Sequence, residues 1–283
     1  MLRPHRALHG TVVHGAAVAL AMVFPTVLTL AYFVLLAGFP AGLQQGVYLA
    51  GKIVQFAFPA LTVGVWLVRR PAGRTPPAAA HSRRGLRDVL RRQLQRGRLR
   101  LAQWLRPRSR WFRRNAQFLV LGLGFGLLVL AVMFGLYEAL WKTGELFAGA
   151  AQEIRGKLVD LGIDRLWTYA AVGIFYAVCH SGLEEYYWRW FVFGQLRHRL
   201  RPASATAISS LAFMAHHVIL LATYFGWSSP WTYAFSLAVA VGGAVWAWLY
   251  ERSGSLAGPW LSHLVVDAAI FLVGYDVARD LLV

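Results

Sequence analysis

LWTYAAVGIFYAVCHSGLEEYYWR, residues 166–189, decides how the whole chain is read. It opens as an apolar run from Leu166 to Val178 and closes on Glu184, Glu185 and Arg189. Charged groups at membrane depth cost ~2.5–3.5 kcal/mol each on insertion scales and usually mark a functional site. Later apolar runs carry His217, and His263 with Asp267, to comparable depths. These places are expected to converge on one site inside a membrane.

Composition supports that setting. The chain has 283 residues, 58% of them hydrophobic, and a mean hydropathy of +0.49. Several apolar runs exceed the ~18–20 residues that cross a bilayer as a helix. They do not alternate as barrel strands would. The expected fold is an all-α polytopic membrane protein with seven to eight transmembrane helices. The net charge of +17 lies mostly in one inter-helix block, which points to anionic lipid rather than nucleic acid. A single cysteine, Cys179, excludes an internal disulfide and any cysteine-based metal site. Lysine is almost absent, at positions 52, 142 and 157 only, and the Arg, Ala and Gly usage is that of a GC-rich bacterial genome.

Five regions follow from the pattern. Residues 1–68 hold two spans, the first kinked at Pro25. Residues 69–116 form a basic cytoplasmic loop. Within it Leu86, Val89, Leu90, Leu94, Leu101, Trp104 and Leu105 fall largely on one helical face, the pattern of a surface amphipathic helix. Residues 117–165 carry a third span, then a mixed-charge interfacial segment that would make an eighth span if it dips into the bilayer. Residues 166–275 carry four more spans, and 276–283 a short tail. Arginine bias puts the N-terminus in the cytoplasm, beside Arg3 and Arg6, with Arg197–Arg201 and Arg252 on the same side. The compartment expected is a bacterial inner membrane. Gly242 and Gly243 mark a close helix contact, and the aromatics at 186–190 are read as an interfacial belt.

Spacing within each span is informative. Glu185 and Arg189 are i,i+4 and can pair, and so are His263 and Asp267. Phe213 shares a face with His217. Glu184 points away from Glu185 and is free for chemistry. His180 and His216 are read as packing residues, and Ser181 has no matching catalytic histidine pattern. A Glu and a His on rigid helices can share a water that attacks a carbonyl, and a second His can steady the oxyanion. Glu184, His217 and His263 also match a three-ligand catalytic zinc set. Residue types alone leave both mechanisms open, and no HExxH is present.

The order EExxxR (Glu184, Glu185, Arg189), FxxxH (Phe213, His217) and HxxxD (His263, Asp267) resembles the CPBP family of intramembrane proteases, which includes the CAAX prenyl endopeptidases. SSLAFMAHH and RSGSLAGPWLSHLVVD are similar to the family as well. The resemblance implies peptide-bond hydrolysis in the membrane on a membrane protein or peptide substrate. It makes Glu184 the water-activating base with His217 beside it, and His263 the oxyanion group helped by residue 267. Glu185 and Arg189 are supporting. Asp267 stands where the prenyl-endopeptidase branch usually has Asn, which removes an amide donor and argues against prenylated substrates. The other classes open to this pattern are a non-catalytic binding or immunity protein and a proton or divalent-metal transporter.

Overall fold

The computed structural model describes residues 14–69, 109–142 and 144–282. Eight helices follow in order among them. They are α1 (Gly15–Leu30, continued by a π turn Ala31–Leu35), α2 (Ala41–Arg69), α3 (Ser109–Leu136, then a π turn Tyr137–Trp141), α4 (Glu145–Asp160), α5 (Leu166–Arg197), α6 (Pro202–Phe225), α7 (Pro230–Ser253) and α8 (Ala257–Ala278). All except α4 are long and apolar enough to span a membrane, which makes seven candidate spans. The mixed-charge stretch after α3 folds into α4, too polar to count as an eighth. The basic block and its amphipathic helix fall on residues outside the described ones, as do Arg3 and Arg6.

The bundle is built inside out relative to a soluble protein. Leu20, Ile53, Leu61, Val120, Leu128 and Leu237 stand exposed on its outer face, where lipid would meet them. Gln55, Ser181, Glu185, Thr232 and Ser262 are buried inside. At the centre is α5, which touches α1, α2, α6, α7 and α8. Its Tyr187, Trp188, Phe191, Val192 and Phe193 form the core with Val18 and Ala21 of α1, Phe213 of α6, and Trp246 and Leu249 of α7.

Two wide π-helical stretches, Phe175–His180 and Tyr186–Phe193, interrupt α5. Each slips the helical register and leaves carbonyls in need of donors. Ser181 Oγ donates to Ala177 O, and the Trp260 indole of α8 donates to Val178 O at 2.9 Å. The second stretch corrects the belt reading: Tyr187 and Trp188 turn inward and are each 1% exposed. Of the two glycines expected at a close helix contact, Gly243 makes one, a Cβ there coming within 3.3 Å of Ser210 Oγ of α6, and Gly242 does not; a closer small-residue contact lies elsewhere. It joins α3 to α8, where a Cβ on Gly122 would collide with Gly258 O and one on Gly126 would come within 2.9 Å of Ser262 O.

Polar clamps tie the two ends. Arg197 of α5 holds Glu251 of α7 through two nitrogens, each at 3.0 Å. At the opposite end Tyr137 donates to Asp276 at 2.8 Å, and Arg155 of α4 donates to Val277 O. Lys142 bridges Glu138 and Asp276 there, and those hydrogen bonds hold its ammonium above its ordinary pKa.

Pro25 deserves its own account because it sits buried within α1. A proline has no N–H, so the carbonyl four residues back loses its donor. That carbonyl is Ala21 O, and the Tyr187 hydroxyl of α5 donates to it at 2.6 Å. The proline therefore creates an attachment point for α5. Tyr187→Phe should cost ~1–3 kcal/mol, the penalty of an unpaired buried carbonyl. In a Pro25→Ala background, which restores the backbone donor, the same change should cost clearly less. Thermal unfolding of the four variants in detergent tests this; equal penalties in both backgrounds would contradict it.

Candidate active site

The site begins with the two carboxylates of α5. Both are buried, Glu184 to 3% exposure and Glu185 to 0%, yet they have different neighbours.

Glu185 has the closer partners. Its Oε2 lies 3.2 Å from Arg189 Nε, one turn along the same helix. Its Oε1 accepts from His263 Nδ1 of α8 at 2.9 Å. The Arg189 guanidinium lies over the rings of Phe213 and Trp246, 4.7 and 4.9 Å from their centroids. Its two terminal nitrogens have no hydrogen-bond partner among the described residues. Trp246 also stacks on His263 at 4.1 Å and donates to Ser262 Oγ. One indole thus orients both the cation and the imidazole.

Glu184 is the opposite case, ringed at longer range. His180 Nε2 lies 3.7 Å from Oε1, His216 Nε2 4.0 Å from Oε1, and His263 Nε2 3.9 Å from Oε2. These separations exceed a direct hydrogen bond and suit a small polar molecule held between the groups. His263 Nε2 also faces Asp267 Oδ1 at 3.5 Å, so His263 looks at three carboxylates.

His217 is placed one step further out. Its Nδ1 donates to Phe213 O at 2.9 Å, which fixes the tautomer and leaves Nε2 as the acceptor of a neutral ring. Its ring meets Phe213 at 4.7 Å and His216 at 4.1 Å. Phe213 is buried and lies under Arg189 as well as beside the imidazole. All seven residues singled out by the motif order therefore fall in one neighbourhood.

Sequence reasoning passed over three members of this neighbourhood. His180 precedes Glu184 by one helical turn, so the i,i+4 rule alone could have found it. His216 gave no signal beyond its neighbour. Its ring lies parallel to Trp188, at 6° and 5.9 Å, which aims Nε2 at Glu184. Trp246 is an aromatic in an apolar span and carries no pattern.

Zinc requires three donors closing on one point at about 2.0–2.2 Å each. Among the described residues no three or more His, Cys, Asp or Glu side chains are arranged to hold a metal ion. Of the three expected ligands, His217 is not among the imidazoles that come within 4.0 Å of Glu184. The donor set does not fit the metal as arranged.

Residues 165–269 match the model of a family described as Type II CAAX prenyl endopeptidase Rce1-like. The match runs from the start of α5 into α8 and covers the whole carboxylate and histidine neighbourhood. Over these residues the chain is similar to the CAAX proteases, membrane hydrolases acting on peptide bonds and the family that the motif order resembles. α1, α2, α3 and α4 lie outside the match. No curated protein and no solved structure matches the chain.

The geometry separates a structural carboxylate from a free one. Glu185→Ala should leave Arg189 buried without its counter-ion and destabilise the protein by ~3–5 kcal/mol. Glu184→Ala should cost far less. Unfolding midpoints of the two variants in one detergent measure the difference; similar midpoints would contradict the division.

Proposed function

We propose that this protein is an intramembrane endopeptidase in which Glu184 activates the attacking water. The observation that carries this reading is the division of labour between adjacent carboxylates. Glu185 is spent on Arg189 and His263, while Glu184 is buried, has no ionisable partner closer than 3.7 Å, and faces three imidazole nitrogens at 3.7–4.0 Å.

In this mechanism water sits between Glu184 and the surrounding imidazoles. Glu184 takes one proton as the oxygen attacks the scissile carbonyl carbon. The tetrahedral intermediate then collapses, the C–N bond breaks, and Glu184 returns the proton to the leaving amine. His216 and His180 hold the water's remaining hydrogen or lone pairs, and His217 Nε2 is a further acceptor. Asp267 orients His263 together with Glu185. It lacks the amide donor of the prenyl-endopeptidase branch, so the substrate class proposed is a membrane-associated protein or peptide without a prenyl requirement.

The same reading carries the orientation. Arg197, Arg199, Arg201 and Arg252 gather at one end of the bundle, and we assign that end to the cytoplasm of a bacterial inner membrane, with the N-terminus on the same side. The basic block would then rest on anionic lipid.

Purified wild type and Glu184→Gln, incubated with host membrane proteins, should differ by at least ~10³-fold in new peptide termini, the scale of losing a committed general base. Terminal-peptide mass spectrometry reads this. Equal fragments from both proteins would remove the reading and leave binding or transport. Metal-free hydrolysis further predicts that 1,10-phenanthroline leaves the wild-type fragments unchanged. Loss restored by added zinc would instead place a metal in the mechanism.

A further inference from the structure

The oxyanion is the weak point of the motif-based picture. His263 is the group expected to stabilise it. Yet His263 gives Nδ1–H to Glu185, and its Nε2 faces Glu184 and Asp267. A negative oxygen placed there would sit among three carboxylates. A cation reaching the other side of Glu184 would serve it better.

One such cation comes from α2, outside the matched family domain. Lys52 lies roughly 16 Å into its span from Ala41, at 1.5 Å per residue, where a lysine is costly unless used. Its ammonium sits over the rings of Tyr48 and Phe56, 5.5 Å from each centroid. Phe56 in turn meets His180 edge to face at 6.0 Å, and His180 is the imidazole nearest Glu184. Lys52 and Glu184 act on one another electrostatically, and Lys52 also acts on His180, His216 and His217. No carboxylate among the described residues comes within ion-pair distance of the ammonium. The result is a cation held by aromatic faces on the His180 side of the site, with its hydrogen-bonding capacity unspent.

We propose that Lys52 is a catalytic residue that donates to the scissile carbonyl oxygen opposite Glu184 and holds the oxyanion. This rests on the proteolytic reading of the same site. As water oxygen bonds to the carbonyl carbon, the C=O π pair moves onto oxygen, and Lys52 Nζ–H donates to it without losing its proton. When the C–N bond breaks, that pair re-forms the carbonyl and Glu184 supplies the amine's proton. Lysine and carboxylate thus flank the reacting carbon, and α2 becomes part of the active site.

The test uses the full-length protein in detergent with a quenched fluorescent peptide carrying the cleavage sequence obtained from host membranes. Its phosphonate isostere, with an anionic tetrahedral phosphorus in place of the scissile carbonyl, is the second probe. Lys52→Met should lower kcat by ~10²–10³-fold, the range for losing one oxyanion donor, with KM within about threefold. The inhibition constant of the phosphonate should rise by a similar factor. Lys52→Arg, which keeps the charge, should recover part of both. A kcat within about threefold of wild type, or a rise in KM with kcat kept, overturns the assignment, because neither depends on transition-state charge. Equal weakening of phosphonate and parent peptide overturns it too. Absence of cleavage by the folded wild type removes the proteolytic reading itself, and this assignment with it; the wild-type arm therefore tells the two failures apart.

Discussion

The structure turns on the contact of Glu185 with Arg189 and His263. It neutralises a carboxylate at 0% exposure, and it joins α5 to α8 at the depth where chemistry is to occur. A buried pair of this kind adds little net stability compared with apolar packing. Its value here is positional. Oε1 fixes His263, Oε2 fixes Arg189, and the guanidinium spreads over Phe213 and Trp246 to fix α6 and α7. With Glu185 carrying these contacts, the neighbouring carboxylate is left without a tight partner. Adjacent residues thus divide into one held by close partners and one left without them.

The place of α5 makes this division possible. Glu184 and Glu185 lie on the α-helical turn Ser181–Glu185 and point about 100° apart. Both are buried because α5 is packed by α1, α2, α6, α7 and α8, and the π stretch that follows turns Tyr187, Trp188 and Phe191 inward as well. The carbonyls freed by these turns and by Pro25 find donors in Ser181, Trp260 and Tyr187. Irregular backbone at this depth is tolerable because it is buried in protein and hydrogen-bonded there. The helix at the centre of the bundle is therefore also its least regular.

Much of this was legible in the residues. Apolar length alone indicated seven spans in the regions where they are found, since hydropathy measures the property a bilayer demands. The i,i+4 rule paired Glu185 with Arg189 and His263 with Asp267. Other features were hidden by their physics. Tyr187 and Trp188 read as interfacial because charged neighbours imply water, while here the charges pair inside. His216 acts through the wide register of α5 opposite it, which no spacing on α6 reveals. Lys52 stood in plain view as a lone lysine in an apolar run, but its place on the His180 side of the site depends on how α2 packs on α5. The wide turns and the donor set around Glu184 are properties of tertiary packing, outside the reach of local periodicity.

A direct test of the chemistry follows the oxygen atom. Folded wild type and Glu184→Gln would be incubated with host membrane proteins in water enriched in oxygen-18, and the new C-termini read by mass spectrometry. Water activated by Glu184 predicts oxygen-18 at each C-terminus formed by the wild type, and no such termini with Glu184→Gln. Identical labelled termini from both proteins would contradict a hydrolytic role for Glu184.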